Sequence, residues 1–408
     1  MAIAQENSEL HVLIIGAGLG GLTLAQGLRK QGISFQIFER DASAEARGQG
    51  YAVGLHDPEK LFGGSLPDEV FSSLRSSCHL LPLQLPSCLA MFFPDGRAGY
   101  VTDSPETPCI RAHRLRLRQA LARDLDIQWG KRAQRIEEGE DRVTVWFEDG
   151  TKAKGTVLVG ADGTFSAVRP HVLQKPNSEV LEISTYSTFT MGECRLNRAE
   201  MESQLQMAYS CYVAFGPDFV LFSALNRVSD DGSYGDYYWM TIESQDVGDN
   251  HWVKTGTAEE RLRKTKERVQ ALDPKFRVTV EKTEVEGLKK VTTWYDALIE
   301  DIPPVNRVIL IGDAAHPMTP SRGEGAIYAI RDAVGLSKLL SENKHQSIHM
   351  LRHKMDEYQR TLVSEGNKSI LLARQVMAKA RQRETVSKPM AWGHELKILN
   401  EAVPLPLE

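Results

Sequence analysis

Between Glu9 and Glu39 the apolar positions change their period twice. His11 to Ile15 is a short apolar, β-rich run, Leu22 to Lys30 repeats its apolar positions at helical spacing, and Ser34 to Glu39 is again a strand pattern. Gly32 supplies the stop between helix and second strand, so the segment predicts a βαβ unit. Residues 40–65 mix glycine, alanine and charge and predict an extended loop, while Pro82, Pro86, Pro94, Pro105 and Pro108 argue against long helices in the stretch that follows. Helical spacing returns over residues 113–125. Arg142 to Phe147 alternates as a strand, and Asp149-Gly150 predicts a turn before a strand around Thr156 to Val159.

Residues 180–285 change character. Their aromatic and β-branched runs, broken at Gly216-Pro217-Asp218 and at Ser229-Asp230-Asp231-Gly232, predict an antiparallel sheet inserted into an α/β framework. A strand over Arg307 to Ile311 and a helix from about Gly325 to Leu340 resume that framework. After the polar linker SENKHQ, Ile348, Leu351, Met355, Tyr358 and Leu362 mark one face of a long C-terminal helix.

Composition narrows the functional classes. The chain has 408 residues, enough for two or three domains, with 41% hydrophobic and 25% charged residues. The formal charge of −5 gives no basic excess for nucleic acid, and the Arg111, Arg116, Arg118 and Arg123 stretch reads as a solvated basic face. No apolar run approaches the roughly 18 residues of a membrane span. The start MAIAQENSEL lacks the features of a signal peptide, and the five cysteines at 78, 88, 109, 194 and 211 lack a CxxC pair; a reducing, cytoplasmic setting is expected. His345, His349 and His353 share a helical face, but without an HExxH pattern no metal site is expected.

Three segments carry chemistry. Gly16-Ala17-Gly18-Leu19-Gly20-Gly21 follows a strand and opens a helix: Gly16 permits the tight turn, Gly18 leaves room for a pyrophosphate, and Gly21 allows close helix–strand packing. Glu39, at the end of the next strand, is placed to accept from both hydroxyls of an adenosine ribose. In the second segment the strand Val157 to Val159 runs into Gly160-Ala161-Asp162-Gly163. It brings Asp162 to the ligand-binding edge of the sheet or, read more plainly, makes Asp162 the cap of the next helix. The third runs Gly312-Asp313-Ala314-Ala315-His316-Pro317, then Pro320-Ser321-Arg322-Gly323-Glu324-Gly325-Ala326. A second strand-to-glycine turn suits a ligand longer than NAD, namely FAD, with Asp313 accepting from the ribityl hydroxyls and the Gly323 to Ala326 backbone approaching the ring. His316 reads as a structural hydrogen-bonding residue rather than a general base.

The set GAGLGG with Glu39, GADGTFSAVR and GDAAHPMTPSRGEGA resembles the single-component FAD-dependent monooxygenases of the para-hydroxybenzoate hydroxylase type, most like fungal secondary-metabolite members. The resemblance spans roughly residues 10–340. It implies an α/β fold: a discontinuous Rossmann-like FAD-binding domain (8–76, 104–172 and 290–342), an inserted antiparallel β-sheet substrate domain (77–103 and 173–289) and a C-terminal helical segment (343–408). It also implies cofactor contacts at Gly16, Gly18, Gly21, Glu39, Arg40, Arg47, Gly50, Arg114, Asp162, Asp313, Gly323, Gly325 and Ala326, with Arg114 taken from an Arg-x-x-Leu-Arg helix start. Many relatives carry Asn where this chain has Ile327, so only backbone contacts to the flavin are expected there.

The function implied is hydroxylation or epoxidation of an aromatic or polycyclic secondary-metabolite intermediate with NADPH or NADH and O₂, through a flavin C4a-hydroperoxide. The flavin carries the chemistry, and no protein group is expected to be catalytic. Tyr209, Tyr212, Phe215, Phe219, Phe222, Tyr237 and Trp239 are candidates to line the substrate site, Tyr212, Phe222, Trp239 and Pro320 first among them, although strand alternation turns about half of the sheet residues away. The alternatives are a flavin oxidase, a halogenase, although no Trp-x-Trp pair is present, or a cyclase or isomerase in which FAD is structural.

Overall fold

The computed structural model describes residues 9–46, 50–184, 189–243, 248–249, 251–290, 293–381, 390–391 and 394–407. The βαβ unit at its centre forms as its periodicity dictates. The strand His11–Ile15 is buried from Val12 onward, and the helix Leu19–Lys30 ends with Arg29 and Lys30 against the negative end of its dipole. Gly32 then turns the chain at a φ of 64°, into the strand Ser34–Phe38.

Five parallel strands make the central sheet, in the order Val308–Leu310, Val157–Gly160, His11–Ile15, Ser34–Phe38 and Ile127–Gln128. Successive strands leave His11–Ile15 in opposite directions, so the Gly16 turn sits at a topological switch point, where open α/β sheets bind ligands. The helices Leu19–Lys30 and Gly325–Glu342 pack together on one face through small residues. A Cβ on Gly20 would lie 3.1 Å from the Ala329 carbonyl oxygen, and one on Gly27 would lie 2.7 Å from the Ser337 Cβ. The meander Ala133–Glu138, Val143–Phe147 and Lys152–Gly155 covers part of the other face, with the Phe38 and Phe147 ring centroids 4.7 Å apart.

Val308–Leu310 is an edge strand whose outer side would present unpaired peptide groups. The helix Ile348–Arg381, about 50 Å long at 1.5 Å per residue, runs beside it and supplies side-chain amides in place of a sixth strand. Gln359 accepts from the Leu310 N–H at 2.7 Å and donates to the Leu310 carbonyl at 3.2 Å. Asn367 bonds the Ile299 backbone in the same two-sided way.

The inserted sheet has seven strands, in the order Phe189–Asn197, Tyr234–Glu243, Phe219–Val228, Cys211–Phe215, Cys88–Phe92, Ala98–Thr102 and Lys397–Leu399. All pairs are antiparallel except Cys88–Phe92 with Cys211–Phe215. Three helices absent from the sequence reading, Arg198–Leu205, Ala258–Val269 and Pro274–Glu281, cover its outer face. The loop expected over 40–65 also holds the strand Ala52–His56 and the helix Pro58–Phe62. The C-terminal segment is not helical throughout, because Lys397–Leu399 ends as the last strand of the inserted sheet.

Candidate functional site

Three parallel neighbours end side by side in the three glycine segments. At the first, Gly16 has a φ of 108°, a conformation that side chains rarely adopt, and a Cβ there would strike the Ala161 carbonyl of the second segment. A Cβ on Gly21 would overlap the Gly16 carbonyl oxygen, whereas one on Gly18 would meet nothing within 4 Å. The turn is therefore packed tightly behind and open in front. Gly18 caps the helix Leu19–Lys30 without a side-chain hydrogen bond, so the helix N-terminus faces that open space.

Glu39 orders the first turn: one carboxylate oxygen accepts from the Ala17 N–H at 2.8 Å and the other from the Asp41 N–H at 3.0 Å. Arg118 does the same from the opposite side. Its buried guanidinium donates to the carbonyls of Ala17 (2.9 Å) and Ala44 (3.1 Å) and lies 3.9 Å from Glu39. A residue read from sequence as part of a solvated face is thus a buried strut of the site; its signal was its place on the apolar side of helix Arg114–Leu121, next to Leu117 and Leu121.

Asp162 braces the turn that follows its strand, although Val168 and not Asp162 is the N-cap of the next helix. Its carboxylate accepts from Ser166 Oγ (2.6 Å) and from the N–H groups of Ala167 (2.6 Å) and Val168 (3.3 Å), which fixes the turn into helix Arg169–Leu173. Burial raises its pKa against the pull of those bonds. Arg169, completely buried, ties this segment to the third. It donates to the carbonyls of Ala314 (2.8 Å), Asp313 (2.6 Å) and Thr164 (2.8 Å) and to Asn177 Oδ1 (2.7 Å), and burial lowers its pKa to about 10.

Asp313 accepts a long hydrogen bond of 3.4 Å from Thr164 Oγ1, and its pKa is raised by burial against the pull of His316, Arg114 and Arg169. Its Oδ1 lies 3.7 Å from where a Cβ on Gly325 would stand. The exposed Arg114, at the start of its helix, has its Cδ 3.6 Å from where a Cβ on Gly50 would be. Thus Arg114, Gly50, Asp313 and Gly325 come together. Arg40 directly follows Glu39; Arg47 lies outside the described residues. Gly323 takes a φ of 67° with open space around its Cα, and the helix Gly325–Glu342, with Ala326 in its first turn, likewise starts without a side-chain cap.

Behind the third segment, Asp332 accepts from the Gly312 N–H (2.8 Å) and pairs with His316 Nε2 (2.6 Å) through the same oxygen, and all of His316 is buried. Burial alone would depress the histidine's pKa; Asp332, aided by Asp313, outweighs it and the pKa is raised. A group whose folded pKa lies above its unfolded value near 6.5 contributes stability that is complete below that value and is lost as pH rises through the folded pKa. Stability measured by denaturant titration is therefore expected to fall above neutral pH, and His316→Gln is expected to flatten that part of the profile. An unchanged slope would remove the pair from this role. An acid inside the apolar stripe of Ile327, Ile330, Ala333 and Leu336 was the sequence signal for a buried partner.

The inner face of the seven-stranded sheet packs against Tyr51 and the strand Cys109–His113. Register places Phe222 beside Met240 and Ala224 beside Tyr238 on that face, and Ser223 beside Trp239 on the other. Tyr212 and Trp239 are accordingly corrected as substrate-lining candidates: Tyr212 Oη reaches Gln204 and the Phe276 carbonyl, and Trp239 Nε1 donates to Thr283 Oγ1 at 2.7 Å, all within the helix-covered layer. Tyr209, Phe219 and Tyr237 belong to the same layer. Phe222 faces inward, as do two residues the sequence did not single out for this site, Tyr51 and Tyr238, stacked with centroids 3.9 Å apart. Arg111 donates to Tyr238 Oη at 2.5 Å, and Tyr51 donates to Glu193 at 2.7 Å. Pro320 is exposed, at the head of the turn leading to Gly323.

Comparison with known proteins agrees with this geometry. A family described as an FAD binding domain matches residues 101–351, and one described as an NAD(P)-binding Rossmann-like domain matches residues 14–57. The chain is 41% identical over 394 residues to the FAD-dependent monooxygenase thnD of Trichoderma harzianum, covering 93% of this chain and 96% of that one. It is 29% identical to cctM of Talaromyces islandicus, also an FAD-dependent monooxygenase, covering 88% and 90%. Among solved structures, the fold matches 2,6-dihydroxypyridine-3-hydroxylase from Arthrobacter nicotinovorans with a TM-score of 0.69 at 19% identity, covering 93% and 94%. It matches HpxO of Klebsiella pneumoniae, solved with FAD and uric acid, with a TM-score of 0.67 at 20% identity, covering 92% and 90%. With its three glycine segments converging at one sheet edge, the chain belongs to the FAD-dependent monooxygenases of the para-hydroxybenzoate hydroxylase type, enzymes that use FAD together with NAD(P)H and O₂.

Proposed function

We propose that this monooxygenase hydroxylates an aromatic or polycyclic secondary-metabolite intermediate held between the inner sheet face and an FAD lying across the C-terminal edge of the parallel sheet. The observation that carries this reading is the cradle itself: two helices with uncapped N-termini pack side by side, with open ground before Gly18 and Gly323 and with Asp313 beside Gly325. The residues fit FAD. The N-terminus of helix Leu19–Lys30 would receive the pyrophosphate, Glu39 the adenosine ribose, Asp313 the ribityl chain, and the backbone of Gly323 to Ala326 the ring. Asp162 and Arg169 act by holding the second and third turns in place.

When bound and reduced by NAD(P)H, FAD supplies the activation of O₂. The protein's part is to orient the substrate and exclude water. Tyr51, Phe222 and Tyr238 with the half-buried Met91 form an apolar wall suited to a flat ring. HpxO is solved with uric acid and the Arthrobacter nicotinovorans enzyme is named for a dihydroxypyridine, both flat rings of the kind such a wall accommodates. The purified protein, given FAD, NADPH and a panel of phenolic polycycles under isotopically labelled O₂, should oxidise NADPH in a substrate-dependent way and place one labelled atom in the product. Product formed without reductant or label would favour the cyclase reading.

Gly18→Val separates cofactor space from folding. Because a side chain there meets only open space, the variant should fold as the parent does and yet purify without yellow colour. Unchanged flavin content would show that the pyrophosphate does not lie at Gly18.

A further inference from the structure

The last described segment, 394–407, doubles back across the inserted sheet. Lys397–Leu399 pairs with Ala98–Thr102, and Leu396 is buried on the inner face with Leu89, Val101 and Tyr238. Beyond them, Leu405 N–H donates to the Gln206 carbonyl at 2.7 Å, and Tyr209 Oη donates to the Pro406 carbonyl. The segment is therefore anchored at several points, and His394 stands at its start.

His394 Nε2 is buried and has no hydrogen-bond partner among the described residues, and the same is true of His56 Nε2 at the end of strand Ala52–His56. His56 pairs in register with Cys109, which is buried in the same cluster as Leu396, two residues beyond His394, and the strand Ala52–His56 packs against the helix Gly325–Glu342 that Glu324 precedes. The two imidazoles, more than 300 residues apart in sequence, accordingly lie close enough to influence each other's charge, and Glu324 does the same to His56. Glu324 sits between Gly323 and Gly325 in the third glycine segment, where Arg322 (2.6 and 3.0 Å) and Ser369 (2.9 Å) hold its carboxylate. Buried polar atoms are rarely left unpaired without a reason. Two of them, carried by separate elements to the segment proposed to face the flavin ring, leave a place for a polar ligand atom.

We infer that His56 and His394 form a subsite for a phenolic or enolic hydroxyl of the substrate, which makes the C-terminal segment part of the substrate pocket. The inference rests on the monooxygenase reading above. A neutral imidazole offers one donor and one acceptor, so the His56 ring can accept a hydrogen bond from the hydroxyl while His394 donates one to its oxygen. Burial lowers the pKa of His56 to about 4, with Glu324 opposing and His394 adding to the effect, so the ring is neutral at physiological pH. Arg322 is already paired with Glu324 and the His56 ring is neutral, so a neutral hydroxyl is the match here.

The FAD-loaded enzyme titrated with a naphthol and with the methyl ether of the same naphthol tests this, through perturbation of the bound flavin's visible absorbance. The naphthol is expected to bind about tenfold more tightly, the worth of about one or two hydrogen bonds. His394→Leu and His56→Leu should each reduce that preference to about threefold or less without changing flavin content or the affinity for the ether. His394→Gln, which keeps a donor and an acceptor, should restore part of it. A preference that survives both leucine substitutions overturns the subsite, as does an FAD-loaded wild type that shows no preference or binds neither probe. A wild type that retains no FAD would instead overturn the monooxygenase reading.

Discussion

Arg169→Met is expected to yield protein that retains no FAD and is destabilised by about 3 kcal/mol or more, since each hydrogen bond made by a charged group contributes about 1.5–3 kcal/mol. The guanidinium is buried and serves four acceptors, three of them backbone carbonyls of the second and third glycine segments. Methionine fills comparable volume but leaves the Asp313 and Ala314 carbonyls without their donor, and the third turn loses its tie to the second. Denaturant melts and flavin content of the purified variant check the two parts separately. A stable, yellow Arg169→Met protein would show that the turns hold their positions without it.

Gly21→Ala is expected to have a comparable effect for a different reason. Its Cβ would overlap the Gly16 carbonyl oxygen, and neither backbone can yield without opening the first turn. The alanine gains about 1 kcal/mol of helix propensity, but overpacking against fixed backbone costs about 3 kcal/mol or more, so the net result is lower stability together with loss of FAD. The contrast with Gly18→Val, where folding survives and only the cofactor is lost, distinguishes packing from ligand space within one hexapeptide. A Gly21→Ala protein that matches the parent in both measurements would contradict the close helix–strand packing.

The βαβ unit, the three glycine segments and the long C-terminal helix were legible because each is local: a change of period, a glycine at a turn, an acid at a strand end. The face of the inserted sheet was not. Tyr212, Phe222 and Trp239 are equally aromatic on alternating strands, and only the packing of three helices against one side shows which of them is core. Those helices did leave signals. Asn197 and Glu200 form a capping box, and Thr257 caps the Glu260 N–H, patterns readable as helix starts within a region otherwise rich in strand formers. For the struts Arg118 and Asp332 the sequence signalled burial but not the partner, and for Arg169 and Gln359 it signalled neither, because the partners lie far away in sequence or in backbone that presents no side-chain pattern. These struts hold the turns that the motifs announced.

Both halves of one dinucleotide are gripped in this reading, the adenosine half by the first segment with Glu39 and the flavin half by the third. Titrating flavin-stripped protein with FAD and, separately, with FMN, while following flavin fluorescence, tests it most directly. One FAD per chain is expected, with binding at least about 100-fold weaker for FMN, which cannot use the adenosine half-site. Equal affinity for the two, or no binding of either, would contradict it.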